Sequence, residues 1–217
     1  MSGGAVDVEP TNIKLTDYDV EASSDYTVID DSKLAINSVD IKLSAPSIKK
    51  NPQRTIPLLD DNGLIIAESR AIAMYLISLY AKDDSLYPRD PQKRVLFDQR
   101  LFFDFDVYGA MANVWGSVMS GKPPDHTCVE KVNGGLETWN RILEGRQWLA
   151  GDNITLADYS GCLVVTTTQI IPKTDFNPYK YKNVAEWISR IESSSQKYVE
   201  EVKVFREATR PILEKVK

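Results

Sequence analysis

The sequence predicts a small α/β domain followed by an all-α helical domain. Short β-prone runs and helical patterns are mixed up to about residue 82, and every later segment carries helical periodicity alone. Between them D-D-S-L-Y-P-R-D-P interrupts both periods with prolines and turn formers. The expected limits are therefore 1–82 for the α/β domain, with 1–12 loosely attached, 83–91 for a linker and 92–217 for the helical domain.

In chain order, Ile13–Thr16 reads as a first strand. Residues 25–36 keep helical spacing at Tyr26, Ile29 and Lys33, although Tyr26-Thr27-Val28-Ile29 is also β-prone. Val39–Leu43 alternates as a strand does. Beyond the linker, Pro91 to about Met119 forms one long helix, broken at Gly121–Thr127. Val129–Leu143 follows, weakened by Gly134-Gly135, and Ile154–Thr168 is apolar nearly all round, the mark of a buried helix. Asn183–Ser193 and Lys197–Val216 complete the helices. Thr155 stands three residues before Asp158, a capping box with Asp in place of Glu or Gln, and Ile154 and Tyr159 are spaced for a hydrophobic staple.

The chemistry concentrates between Asn51 and Tyr80. Thr55–Leu59 is a short apolar run containing Pro57, Asp60–Gly63 is read as a turn, and Leu64–Ala67 is a second run. Glu68-Ser69-Arg70 then opens a helix whose apolar positions are Ile72, Tyr75, Leu76 and Leu79. A proline at a strand entrance cannot donate to the ladder, so the Ile56-Pro57 step marks an edge or a special turn and is open to the cis isomer. Such an edge can pair its backbone with an extended peptide. The first N–H groups of the next helix, around Ser69, form an anion site. Together they suit a small peptide with a free carboxylate. A purely structural hairpin with a capped helix is the competing reading.

Composition narrows the function classes. A net charge of −5 argues against a nucleic-acid partner. No apolar run approaches the roughly 18 residues of a membrane span, and M-S-G-G-A-V-D-V-E-P lacks the pattern of a secretory leader. Cys128 and Cys162, far apart, point to a reducing compartment and to no metal cluster. The single histidine, His126, excludes schemes that need two. A cytoplasmic protein is expected.

Taken in order, N-P-Q-R-T-I-P-L-L-D-D-N-G, E-S-R-A-I, D-D-S-L-Y-P, Q-R-L-F-F-D and L-A-G-D-N-I-T-L-A-D resemble the cytosolic glutathione transferases, in wording closest to the insect delta and epsilon classes. The resemblance covers residues 51 to about 190. It implies a thioredoxin-like N-terminal domain, an all-helical C-terminal domain, a homodimer, and conjugation of glutathione to hydrophobic electrophiles in detoxification, with no metal. By this resemblance the backbone of Ile56, before Pro57, pairs with the cysteinyl part of glutathione. Glu68 and Ser69 hold its γ-glutamyl end, with Arg70 near the subunit interface, and Arg54 and Thr55 belong to the same site. Arg54 stands where the family usually carries histidine; its guanidinium is a partner for the glycyl carboxylate. On the long helix, Phe105, Tyr108, Met111, Ala112 and Trp115 match the family's electrophile site, though at helical spacing such a stripe also makes core.

Two departures bear on the chemistry. The family's thiol-activating serine sits in a turn such as P-G-S-P-P-C-R, whereas this chain has V-E-A-S-S-D-Y-T. Ser23 or Ser24 is the candidate, with Tyr18 and Tyr26 behind them, and Glu21 and Asp25 nearby oppose a thiolate. The segment S-A-P-S-I-K-K at 44–50 is shorter than the family's and lacks its histidine. The alternative reading is accordingly a non-catalytic or weakly catalytic binding protein for hydrophobic ligands on the same scaffold.

Overall fold

The computed structural model describes residues 14–15, 51–53, 55, 57–61 and 63–214. The helix expected at 25–36 and the strand at 39–43 lie outside these. The described residues fall into two compact units, 14–15 with 51–76, and 77–214.

The first unit holds a three-stranded antiparallel sheet with β2 (Leu58–Asp61) between β1 (Lys14–Leu15) and β3 (Leu64–Ala67). The register pairs Leu15 with Leu59 and Leu59 with Ile66, so the buried Leu58 and Leu59 lie on the central strand. Asp60 and Asp61, expected in the turn, belong to β2. Asp61 pairs with Leu64, which leaves a two-residue loop. Gly63, at φ +94°, supplies the left-handed backbone such a tight turn demands. Its N–H donates to Asp60 Oδ1 at 3.0 Å. The hairpin leads into α1 (Ser69–Tyr80), which belongs to this unit as far as Leu76. Tyr75 donates its hydroxyl proton to Asp61 Oδ2 at 2.5 Å and so fastens α1 to the hairpin.

The second unit is helical. α2 (Pro91–Met119) begins at Asp90, whose carboxylate accepts from Lys93 N–H, with Pro91 at the first helical position where its missing N–H does no harm. α3 (His126–Ile142) starts three residues before the expected Val129, because Asp125 Oδ1 accepts from the N–H groups of Thr127 (2.8 Å) and Cys128 (3.3 Å). α4 (Leu156–Thr168) starts later than Ile154, because Thr155 is extended at φ −139°, ψ 173°. α5 (Lys182–Ser194) follows a short 3-10 turn at Pro178–Lys180, and α6 (Gln196–Glu214) begins where Ser195 Oγ accepts from Tyr198 N–H. The core is made by α2, α3, α4 and α5 around Trp139, Trp187, Leu136, Leu149 and Ile188, all fully buried.

The expected capping box is present, and its carboxylate carries more than a cap. Asp158, 0% exposed, accepts from Thr155 N–H (2.9 Å) and the Thr155 hydroxyl (2.8 Å) through one oxygen. Through the other it accepts from Leu149 N–H (2.8 Å) and Trp187 Nε1–H (2.9 Å). Burial pushes the Asp158 carboxyl up from its ordinary value, against the pull of these hydrogen bonds. Ile154 and Tyr159 both pack, half-buried, against the core.

Gly134 and Gly135, adjacent on α3, have opposite surroundings. A Cβ on Gly135 would lie 2.7 Å from Val107 Cγ2 on α2, whereas one on Gly134 would meet nothing. This glycine is what lets α2 and α3 approach closely. Gly135→Ala is expected to cost about 1–3 kcal/mol, since valine at χ1 is stiff. Gly134→Ala is expected to gain about 0.5–1 kcal/mol from helix propensity alone. Urea titration of the two variants checks both signs. Asp158→Ala strands the buried N–H groups of Leu149, Thr155 and Trp187; a loss of about 3–5 kcal/mol is expected in the same measurement.

Candidate functional site

The residues singled out in the first unit converge on two places: the chain entering β2 and the chain leaving β3. Asn51, 3% exposed, organises the entrance. Its Nδ2 donates to the Thr55 carbonyl at 2.8 Å and its Oδ1 accepts from Gln53 N–H at 3.0 Å. This clamp sets the path of the chain towards Pro57, with Thr55 and Pro57 exposed beside it. The motif reading passed over Asn51. Its signal was the Asn-Pro dipeptide, a turn initiator whose side chain bonds backbone two residues on. Arg54 and Ile56 lie outside the described residues.

At the exit Glu68 stands at φ +73°, in the left-handed region, between β3 and α1. For a residue with a Cβ that conformation costs about 1–2 kcal/mol, and such residues cluster at functional sites. It turns the chain so that Glu68 and Ser69 are both exposed, with Arg70 half-buried behind them. The Glu68 carbonyl accepts the first helical bond, from Ile72 N–H at 2.9 Å. The N–H groups of residues 69–71 therefore precede the hydrogen-bonded part of α1 and sit at its positive end. A carboxylate, a hydroxyl and a helix N-terminus thus lie side by side, a set that can take an ammonium and a carboxylate from one ligand.

In the second unit the α2 stripe divides. Met111 is buried in the core and Trp115 packs against it half-buried. Phe105 and Tyr108 keep 48% and 44% of their surface exposed, and Ala112 is exposed between them and Trp115. A groove of about 350 Å³ beside Phe105 has Gly109, Ala110 and Cys128 in its wall. Lys131 bridges α3 to Asp106 of α2 at 2.6 Å. Ser23 and Ser24, and Tyr18 and Tyr26 with them, lie outside the described residues. Among the described residues no cluster of three or more potential metal ligands occurs, and no helix is long and apolar enough to cross a membrane.

Comparison with known proteins decides the family. Residues 28–84 match the glutathione S-transferase N-terminal domain and residues 105–195 its C-terminal domain. The chain belongs to the glutathione S-transferase family. It is 42% identical to glutathione S-transferase D6 of Drosophila melanogaster over 142 residues, 64% of this chain and 65% of that protein. Against glutathione S-transferase D7 of the same organism the figures are 40% over 160 residues, 72% and 70%. In structure it is similar to a delta-class glutathione transferase of Nilaparvata lugens, with a TM-score of 0.70 at 35% identity over 78% of this chain and 81% of the other. The fold is thus that of this family, a thioredoxin-like domain with a helical domain, and the family takes glutathione as co-substrate.

Two outcomes test the reading of the first unit. Asn51→Ala removes both bonds of the entrance clamp and is expected to raise the KM for glutathione about tenfold with kcat little changed, measured by steady-state kinetics. Glu68→Gly relieves the positive φ and is expected to raise stability by about 1 kcal/mol while weakening glutathione binding, a pairing that calorimetry and urea titration read separately.

Proposed function

We propose that the chain is a glutathione S-transferase that joins the thiol of glutathione to hydrophobic electrophiles, acting in the cytoplasm as a homodimer in detoxification. The observation that carries this is the Glu68–Ser69 junction, a strained backbone that exposes a carboxylate and a hydroxyl at a helix N-terminus. There Ser69 and the first N–H groups of α1 take the γ-glutamyl carboxylate, and Glu68 takes the ammonium. The backbone at Ile56 pairs with the cysteinyl part, Pro57 keeps that edge free of a competing donor, and Thr55 lies beside it. Arg54 takes the glycyl carboxylate and Arg70 supports the junction. Phe105, Tyr108 and Ala112 offer the electrophile apolar surface, with Met111 and Trp115 behind them.

The chemical step is attack by the glutathione thiolate on the electrophilic carbon. A thiol of pKa about 8.5 is only a few per cent ionised at pH 7, so a hydroxyl donating to the sulfur gains most of its effect by lowering that value. Ser23 or Ser24 fills this role. The sequence departures around them favour a second reading, glutathione binding with slow or absent turnover.

Turnover of a chromogenic aryl halide with glutathione separates the readings. Ser69→Ala is expected to raise the KM for glutathione about tenfold. Ser23→Ala or Ser24→Ala, whichever hydroxyl donates to the glutathione sulfur, is expected to lower kcat about ten- to a hundredfold. Calorimetric binding of glutathione without turnover would select the binding protein.

A further inference from the structure

Helix α6 covers a buried thiol and reaches it through a polar contact. Cys162, on α4, is 0% exposed. The Tyr198 hydroxyl of α6 donates to its sulfur at 3.0 Å and stands 3.3 Å from Thr166 Oγ1. Further along, Arg206 Nη2 donates to Gln169 Oε1 at 3.0 Å. The Tyr198 ring packs against the core beside Tyr159, but fewer apolar side chains are buried on α6 than on α5. The 19 residues of α6 bury Val202, Thr209 and Ile212, whereas the 13 residues of α5 bury Val184, Trp187, Ile188 and Ile191. An open groove of about 300 Å³, with Glu192, Val199 and Val202 in its wall, runs along the flank of α6. Pro211 lies inside the helix and brings no N–H to its last turn. Segments with few buried apolar side chains open locally at free energies below the global value.

We propose that α6 is a detachable strap that lifts from α4 as a unit without global unfolding, and that its lifting uncovers the Cys162 thiol. In the closed state burial pushes that thiol up to about 12, so it stays protonated and out of reach of reagents. Once α6 lifts, it becomes an ordinary solvated thiol. The strap is independent of the glutathione reading and stands or falls separately from it.

Cys128→Ser in the full chain leaves Cys162 as the single thiol, since the sequence has two cysteines. An aromatic disulfide reagent reports opening: the thiolate attacks the reagent, a mixed disulfide forms, and one coloured aromatic thiolate leaves. Labelling is followed against urea, and global unfolding by far-ultraviolet circular dichroism on the same variant. The expected result is labelling at least about tenfold faster without denaturant than the globally unfolded fraction allows, with a shallower urea dependence. Tyr198→Phe in that background is expected to speed labelling about fivefold. Ile188→Val, in the α5 core, is expected to lower the global midpoint and leave low-urea labelling unchanged. Labelling that tracks global unfolding in every variant overturns the strap, and so does labelling indifferent to Tyr198→Phe.

Discussion

In the helical unit one carboxylate out of reach of solvent, that of Asp158, collects hydrogen bonds from three separate places in the chain: Leu149 in the loop after α3, Thr155 at the start of α4 and Trp187 on α5. Desolvation of such a group is costly, and only full hydrogen bonding makes it tolerable. Four bonds satisfy both oxygens. The consequence is geometric: the loop, the first turn of α4 and the indole of α5 must be in place together. Gly161, one turn along α4, keeps the packing tight there, since a Cβ would approach Leu149 Cδ1 at 3.1 Å. The long α2 is tied to the same loop, because Arg100 Nε donates to the Leu149 carbonyl at 3.1 Å. Leu149 is thus held by its N–H through α4 and by its carbonyl through α2.

The first unit solves a different problem. Its hairpin must deliver the chain into α1 with a polar residue facing solvent at the moment of turning. The positive φ of Glu68 does this at a conformational cost that glycine would avoid. Holding a side chain there sets an exposed acid beside a helix N-terminus, the arrangement on which the proposed glutathione site rests. The neighbouring contacts hold the turn against that strain. Tyr75 ties α1 back to Asp61, and Asn51 closes a turn in the chain that leads into β2. A site presented by a strained turn is kept by such side-chain bonds more than by the backbone preference of its own residues.

Legibility followed the range of the interaction. The limits of α2 could be read because Asp90, Pro91 and Gly121 act within one turn of the helix ends they mark. The start of α3 lies three residues before the expected one, because Gly121–Thr127 has the composition of a loop while Asp125 caps within it. The composition of Asp60 and Asp61 suits a turn, but the register that ends at Asp61–Leu64 places them in β2. Of the site, Glu68 and Ser69 stood out through their motif, but the backbone strain at Glu68 has no signature in a non-glycine residue. The α2 stripe shows the same limit, since periodicity alone does not separate Met111 in the core from Phe105 and Tyr108 at the surface.

By itself the sequence determined the class of fold, the limits of α2, the Thr155–Asp158 pairing and the family to which the motifs belong. These depend on local chemistry: caps, turn formers, apolar spacing and motif order. Tertiary structure decided that Asp158 gathers Leu149 and Trp187, that Gly135 and not Gly134 meets Val107, and that α6 rests on Cys162 through Tyr198. Each of these joins residues far apart in the chain. Such partners are set by how whole helices pack, and no local pattern of residues specifies that.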